Sequence, residues 1–451
     1  MSPLHAALLA LLAAAAPPAE TGAEAQAEAR AAPRRYLVER IALEGLSRTP
    51  ESRVRRYLLV AEGDLLDEER VLLSRLRLAQ LGWFSRVETR LERGSRRGRV
   101  VLIFRLTERN TLIVSDLALG ATAPQPIYGG FGLSQQSLLG MGLELSGAFV
   151  YGGRPRDLDA PDRFSVRGSF FDPDLRVRGM PPIILGLTAL WIHGEELACG
   201  DPECSGYEGR WASAPRLRYS RAGGEVSFGI RPAPFERLIA GFRYERLGAT
   251  AVGGGPSIRP GASALCALTG LYERDTRNDL FFPTEGSRLL GQITFGSSAL
   301  GGDYDYSRYL LQLETDFGLP RGHGLRLSAT AGAIQGDAPF FDRFYAADHA
   351  YFSIGPALGR ALELNFSTDS RYDALLLAAG AEWGIPLWQE GVFFHRGYLA
   401  LGARAVWSAE APRTGRTTAS RTPFSAEAAL RLDTPVGMFN VSLGYALDVF
   451  L

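Results

Sequence analysis

Between Phe439 and Val449 the apolar residues Phe439, Val441, Leu443, Tyr445, Leu447 and Val449 alternate with Asn440, Ser442, Gly444 and Asp448 on the opposite face. A period of two marks a strand with one apolar and one polar face. The pattern recurs through most of the chain. Val226, Phe228 and Ile230 oppose Glu225, Ser227, Gly229 and Arg231. Tyr309, Leu311, Leu313, Thr315 and Phe317 oppose Arg308, Leu310, Gln312, Glu314 and Asp316. Phe424, Ala426, Ala428, Leu430 and Leu432 oppose Ser425, Glu427, Arg431 and Asp433. A soluble sandwich also alternates, so two further features decide. The segments reach about ten residues, enough to cross a bilayer as tilted strands. The connections alternate between tight turns (LLGMG, PAPFE, FFPTEG, LPRGHG, DTPVGM) and long loops at roughly 196–222, 248–261 and 335–371, as transmembrane barrels require. The pattern predicts a mainly β protein in which residues 111–451 form a transmembrane antiparallel β-barrel.

Composition narrows the chemistry. Acidic and basic residues number 49 each, which argues against a nucleic-acid-binding surface. Every basic side chain is arginine. Without lysine there is neither a Walker A loop nor Schiff-base catalysis. His193, His323, His349 and His395 are isolated, and no serine lies in a G-x-S-x-G elbow. The expectation is a protein that is not an enzyme and needs no cofactor or metal.

Residues 1–32 hold an apolar run from Ala6 to Ala16 followed by small residues such as Ala23-Glu24-Ala25. They read as a signal peptide and leader, too short for a membrane-spanning helix. In an oxidising compartment Cys199 and Cys204, in CGDPEC, would form a short loop disulfide. A zinc site there would need more ligands than His193.

Residues 36–110 change period. YLVERIALEG alternates as a strand, and PESRVRRYLL and DEERVLLSRLRLAQLG carry apolar residues at helical spacing. SRVETRLER and RVVLIFRLTER follow as strands joined through Gly94–Gly98. This β-α-α-β-β order, with GLSRT after the first strand and LGWFSRVETRL after the second helix, resembles a POTRA domain. The resemblance implies a periplasmic unit that receives unfolded client chains, partly by adding a client strand to its sheet edge.

Three stretches of the barrel region are similar to the BamA/TamA-type outer-membrane assembly superfamily, the surface antigen barrels. The first is QQSLLGMGLELS at 135–146. The second, YERDTRNDLFFPTEGSRL at 272–289, supplies the periplasmic turn motif through Asp275, Arg277, Phe282, Pro283 and Gly286. Pro283 and Gly286 there suggest a tight turn. The third is the long loop 335–371 with DALLLAAGAEWGIPL after it. The resemblance implies that this loop folds into the lumen and that the arginine at its tip, here Arg360 in GPALGRALELN, pairs with a wall acid, here Glu382. Ala400 stands where the family usually places an aspartate, and Ala361 and Leu362 replace the tip's glycine and aromatic. The family barrel has about sixteen strands, whereas fifteen are readable here, with 209–221 the candidate for one more.

The resemblance implies an outer-membrane protein with its N-terminal domain in the periplasm. It would act in insertion or translocation of other proteins. Its partners would be the lipid bilayer, client outer-membrane or secreted proteins met through residues 36–110, and periplasmic accessory proteins. The alternative is a passive outer-membrane channel or a structural surface barrel.

Overall fold

The computed structural model describes residues 36–120, 127–152, 163–197, 216–250, 257–346, 371–389, 391, 393–409, 424–434 and 437–447. The expected leader, Cys199, Cys204 and Arg360 lie outside these residues.

The small N-terminal unit contains β1 (Leu37–Glu44), helix α1 (Glu51–Val54), a 3-10 turn at Arg55–Tyr57, helix α2 (Glu68–Ala79), β2 (Phe84–Arg93) and β3 (Arg99–Glu108). Its sheet order is β1-β3-β2, with β1 parallel and β2 antiparallel to β3. Pro50 sits extended just before α1, which lasts one turn before tightening. Asp67 caps α2 by accepting from the backbone of Glu69 and Arg70 at 3.0 and 3.2 Å. Val38, Ile41, Val54, Leu78, Leu102, Phe104 and Leu106 form the core between helices and sheet. The outer edge of β1 is occupied by the chain itself: Gly63 donates to Val38 O (2.8 Å), Val38 to Asp64 O (2.9 Å) and Leu66 to Tyr36 O (2.7 Å). β2 pairs with β3 alone, so its outer edge is free among the described residues.

The barrel strands are β4 (Leu112–Gly120), β5 (Tyr128–Leu138), β6 (Leu143–Gly152), β7 (Arg163–Leu175), β8 (Ile183–Leu197), β9 (Arg216–Ile230), β10 (Glu236–Ala249) and β11 (Gly261–Asp275). They continue as β12 (Glu285–Gly296), β13 (Tyr306–Leu319) and β14 (His323–Gly336). Two short strands, β15 (Phe344–Ala346) and β16 (Arg371–Asp373), pair with each other at the base of the long loop. The wall then resumes with β17 (Leu375–Trp388), β18 (Arg396–Ala409), β19 (Phe424–Thr434) and β20 (Gly437–Leu447). Fifteen strands, β4 to β14 and β17 to β20, form one antiparallel sheet in chain order. The fifteen strands readable in the sequence are the ones found. The stretch 209–221 is not a further strand where it is described, because Arg216–Arg221 opens β9.

The alternating residues divide as a membrane wall demands. Val226, Phe228, Ile230, Leu268, Trp383, Val441 and Leu443 face outward and exposed, whereas Arg221, Glu245, Glu273, Asp316 and Asp433 are buried on the lumen side. An odd number of antiparallel strands leaves the first and last running the same way. β4 and β20 do so: both start at the end carrying the small domain, and Gly437 rests against the Val114 carbonyl there. Among the described residues the wall is thus nearly closed, with its edge strands β4 and β20 meeting parallel at that end.

Glu108, at the end of β3, fastens the loop before α1. Burial works against its charge. The Ser47 hydroxyl and the backbone N–H groups of Thr49 and Arg48 outweigh burial and hold its carboxyl at about 2. A depressed carboxyl contributes stability that is complete above the ordinary range near 4.3 and is lost as pH falls toward the folded value. Hydrogen exchange across residues 36–110 should show the unit weakening between about pH 4.5 and pH 2. Glu108→Gln should flatten that window and cost about 2 kcal/mol at neutral pH.

Candidate functional site

The mouth of the barrel beneath the small domain gathers most of the residues singled out in the sequence. Its centre is the connection from β11 to β12, residues 276–284. This is not the tight turn expected from Pro283 and Gly286 but a longer segment folded back on itself. Arg277 pairs with Asp275 (2.7 Å) and reaches Glu314 on β13 (3.1 Å). The Asn278 side-chain Oδ1 accepts from the backbone N–H of Thr284 at 3.0 Å. Asp279 accepts from the backbone of Phe281 (2.7 Å) and Phe282 (3.1 Å), which turns both rings together. Gly286 lies inside β12 with φ +103, where the Thr276 carbonyl crosses against it and leaves no room for a Cβ. The Pro283 carbonyl faces Gly324 of β14.

The two phenylalanines reach past β13 and β14 to β17 and β18. Phe282 lies over Gly384 of β17, where a Cβ would meet its ring at 2.5 Å, and its ring centroid is 4.5 Å from that of Tyr398. Phe281 meets Tyr398 edge-on at 5.2 Å and packs with Ala400 and Ala429. The Tyr398 hydroxyl donates to the Phe281 carbonyl at 3.1 Å. Ala400, which the resemblance marked as a missing acid, is thus the apolar floor of this packing. A carboxylate there would be buried against aromatic rings without a partner, a costly placement.

Glu382 points into the lumen and is held by Arg431, which donates to it at 2.8 Å and to the Tyr398 hydroxyl at 2.7 Å. Arg360, its expected partner, lies outside the described residues. Arg431 reads in the sequence only as a polar-face residue of its strand, since its pair with Glu382 spans three strands and exists only once the wall has curved.

A chain of charges runs on to the small domain. Arg396 at the start of β18 binds Asp279 (2.6 Å) and Asp433 of β19 (3.0 Å), and Asp433 also pairs with Arg109 at the domain's end. On the same face Gln80 of α2 donates to the Asp275 and Arg277 carbonyls at 3.1 and 3.0 Å, Arg56 pairs with Asp174 at 2.9 Å, and the Trp83 indole rests on Gly142 in the β5–β6 turn. The domain is therefore braced against connections on several sides of the mouth. These groups offer binding, alignment and occlusion.

At the other end of the lumen the start of the long loop packs against the wall. Phe340 is fully buried against Tyr219 and Tyr372, each with centroids at 5.0 Å. The Arg221 guanidinium lies 3.6 Å from the centre of the Phe341 ring. Asp342 is bound by Arg243 at 2.9 Å and by the Tyr306 hydroxyl, and Arg221 and Arg243 share Glu245. This second anchor was missed in the sequence because GDAPFFDRF reads as an ordinary loop. Its aromatic pair beside an aspartate was the available signal.

Comparison with known proteins agrees with this architecture. A family model described as the Omp85 superfamily domain matches residues 138–449, and one for POTRA, described as the surface antigen variable number repeat, matches residues 36–109. The outer membrane protein assembly factor BamA of Nitratidesulfovibrio vulgaris (strain Hildenborough) is 22% identical over 323 residues, covering 69% of this chain. This chain spans only 36% of that protein's length. The crystal structure of BamA from Haemophilus ducreyi lacking POTRA domains 1-3 aligns with TM-score 0.50 at 18% identity, over 92% of this chain and 81% of that one. CdiB from Escherichia coli aligns with TM-score 0.60 at 11% identity, over 91% of this chain and 73% of that one. At these identities the likeness to the solved structures is one of fold.

Asp433 is the joint of the charge chain, with its side chain 2% exposed. Asp433→Asn should deprive Arg109 of its carboxylate, while Arg396 keeps Asp279, and should weaken docking of the domain by about 3 kcal/mol. Proteolysis in vesicles should then cut near Arg109–Thr111 many times faster while the barrel core remains resistant.

Proposed function

Since the chain belongs to the Omp85 superfamily and is an outer-membrane β-barrel, we propose that it inserts other proteins into the outer membrane or moves them across it. In this reading residues 36–110 stand in the periplasm and meet client chains before the barrel does. The observation that carries the reading is the asymmetry of the small sheet. The β1 edge is already bonded by Gly63–Leu66, whereas β2 offers a free edge. Along that edge Arg86, Glu88, Arg90 and Glu92 keep the strand soluble with charges of both signs. A client segment in extended form would gain main-chain hydrogen bonds there, with little demand on its sequence.

No nucleotide site contributes to the work in this reading. The driving force is the client's own folding, in which polar backbone groups are satisfied as strands pair in lipid. A passive channel is the weaker reading, because its lumen would need to stand clear. Here Phe340 and Asp342 pack into one end and Phe281 against Tyr398 into the other, side chains that a clear channel would not need.

Depletion of the protein discriminates the two. Loss or misassembly of other outer-membrane proteins is expected, with photo-crosslinkers at Arg90 or Glu92 capturing those same proteins in transit. An unchanged outer-membrane protein content, with altered uptake of small solutes alone, would refute the assembly reading.

A further inference from the structure

The junction between the small domain and the β7–β8 connection carries more positive than negative charge among the described residues. Arg56 follows α1, Arg77 lies on α2, Arg176 and Arg178 lie just after β7, and Arg231 follows β9. Asp174 is the carboxylate among them, pairing with Arg56 at 2.9 Å and Arg176 at 3.3 Å. Asp172 is turned to the Asp174 backbone N–H, which it accepts at 3.0 Å. Arg231 donates to the Pro173 carbonyl at 3.0 Å. Arg77 and Arg231 approach the buried Tyr57 ring, with guanidinium carbons 5.8 and 5.9 Å from its centre. Neither forms an ion pair with a described carboxylate. Arg77 is held below the usual guanidinium range by burial first and by the Arg231 charge second. Five arginines around Asp172 and Asp174 leave an excess of positive charge, a place where an anion is favourable.

The same connection has an apolar tip. Val177 is 43% and Met180 61% exposed, interleaved with the exposed Arg176 and Arg178. On the neighbouring hairpin the outward-facing Ile230 directly precedes Arg231, so the apolar belt ends where the arginines begin. Apolar side chains beside arginines at such a level suit the boundary between acyl chains and headgroups.

We propose that this junction binds the phosphate of an anionic phospholipid in the leaflet on the domain's side of the membrane, with Arg176, Arg178 and Arg231 on the headgroup and Val177 and Met180 among the acyl chains. The site rests on the outward face being lipid-facing, not on the assembly activity. Because Arg231 also approaches Tyr57 of the small domain, a lipid bound there would sit at the joint between domain and wall.

The full chain in vesicles of phosphatidylcholine, with and without phosphatidylglycerol, provides the test, read as phosphatidylglycerol retained per protein by native mass spectrometry. Wild type should retain phosphatidylglycerol preferentially, and more so at low salt. Arg176→Gln with Arg178→Gln should lower that preference roughly thirtyfold, from the attraction each arginine contributes near a charged surface. Arg178→Gln alone, at an exposed residue, should lower it in part without disturbing the fold. Arg96→Gln with Arg97→Gln, on the far β2–β3 turn, should change nothing. Equal retention of both lipids by wild type, or undiminished preference in the double variant, would overturn the proposal. Displacement of the lipid by inorganic phosphate at equal concentration would also overturn it, by identifying a free-phosphate site.

Discussion

A backbone amide inside a bilayer has no water to bond, and leaving it unpaired costs several kcal/mol. Every other feature of this protein follows from satisfying that demand with strands. Fifteen antiparallel strands bond to their neighbours through the wall. Their period of two then sorts the side chains without further instruction. Apolar residues such as Phe228, Leu268 and Leu443 go to lipid, and the arginines and acids must find one another inside. The lumen therefore becomes a network of ion pairs. Glu273 takes Arg288 at 2.8 Å as well as Arg237, and Arg326 takes Asp316 at 2.9 Å. Such pairs contribute less to net stability than to register, since desolvation offsets much of the attraction.

With the wall fixed, connecting segments pack into its two ends by different means. At the domain end the β11–β12 connection lays Phe281 and Phe282 across to β17 and β18, and Arg396 and Asp433 carry the link on to Arg109. At the far end the opening of the long loop is locked by Asp342 on Arg243 and Tyr306. Both sets of contacts use one aromatic pair and one aspartate. Neither belongs to the hydrogen-bonded ladder of the wall itself.

The wall was legible in the sequence because its physics is local. Alternation at Phe439–Val449 and Tyr309–Phe317 needs no partner to be read. Uncertainty at 209–221 arose where small residues hide the period: Ala222, Gly223 and Gly224 interrupt what is one continuous strand, Arg216–Ile230. The contacts at its ends were less legible because they are not local. Glu382 was recognised as a lumen acid, but Arg431 and Tyr398 meet it only after β17, β18 and β19 have curved together. Ala400 looked like a lost carboxylate, and only the position of Phe281 shows why an apolar residue belongs there.

The parity of the wall is the claim on which the account stands. An odd count sets β4 and β20 parallel, both starting beside the small domain, with Gly437 on Val114. Paired cysteines read this in membranes, with the native cysteines replaced by alanine. Val114→Cys with Met438→Cys should form a disulfide rapidly, and Val114→Cys with Leu447→Cys should not. A rapid crosslink to position 447 and none to 438 would mean an antiparallel seam, and would contradict the fifteen-stranded wall.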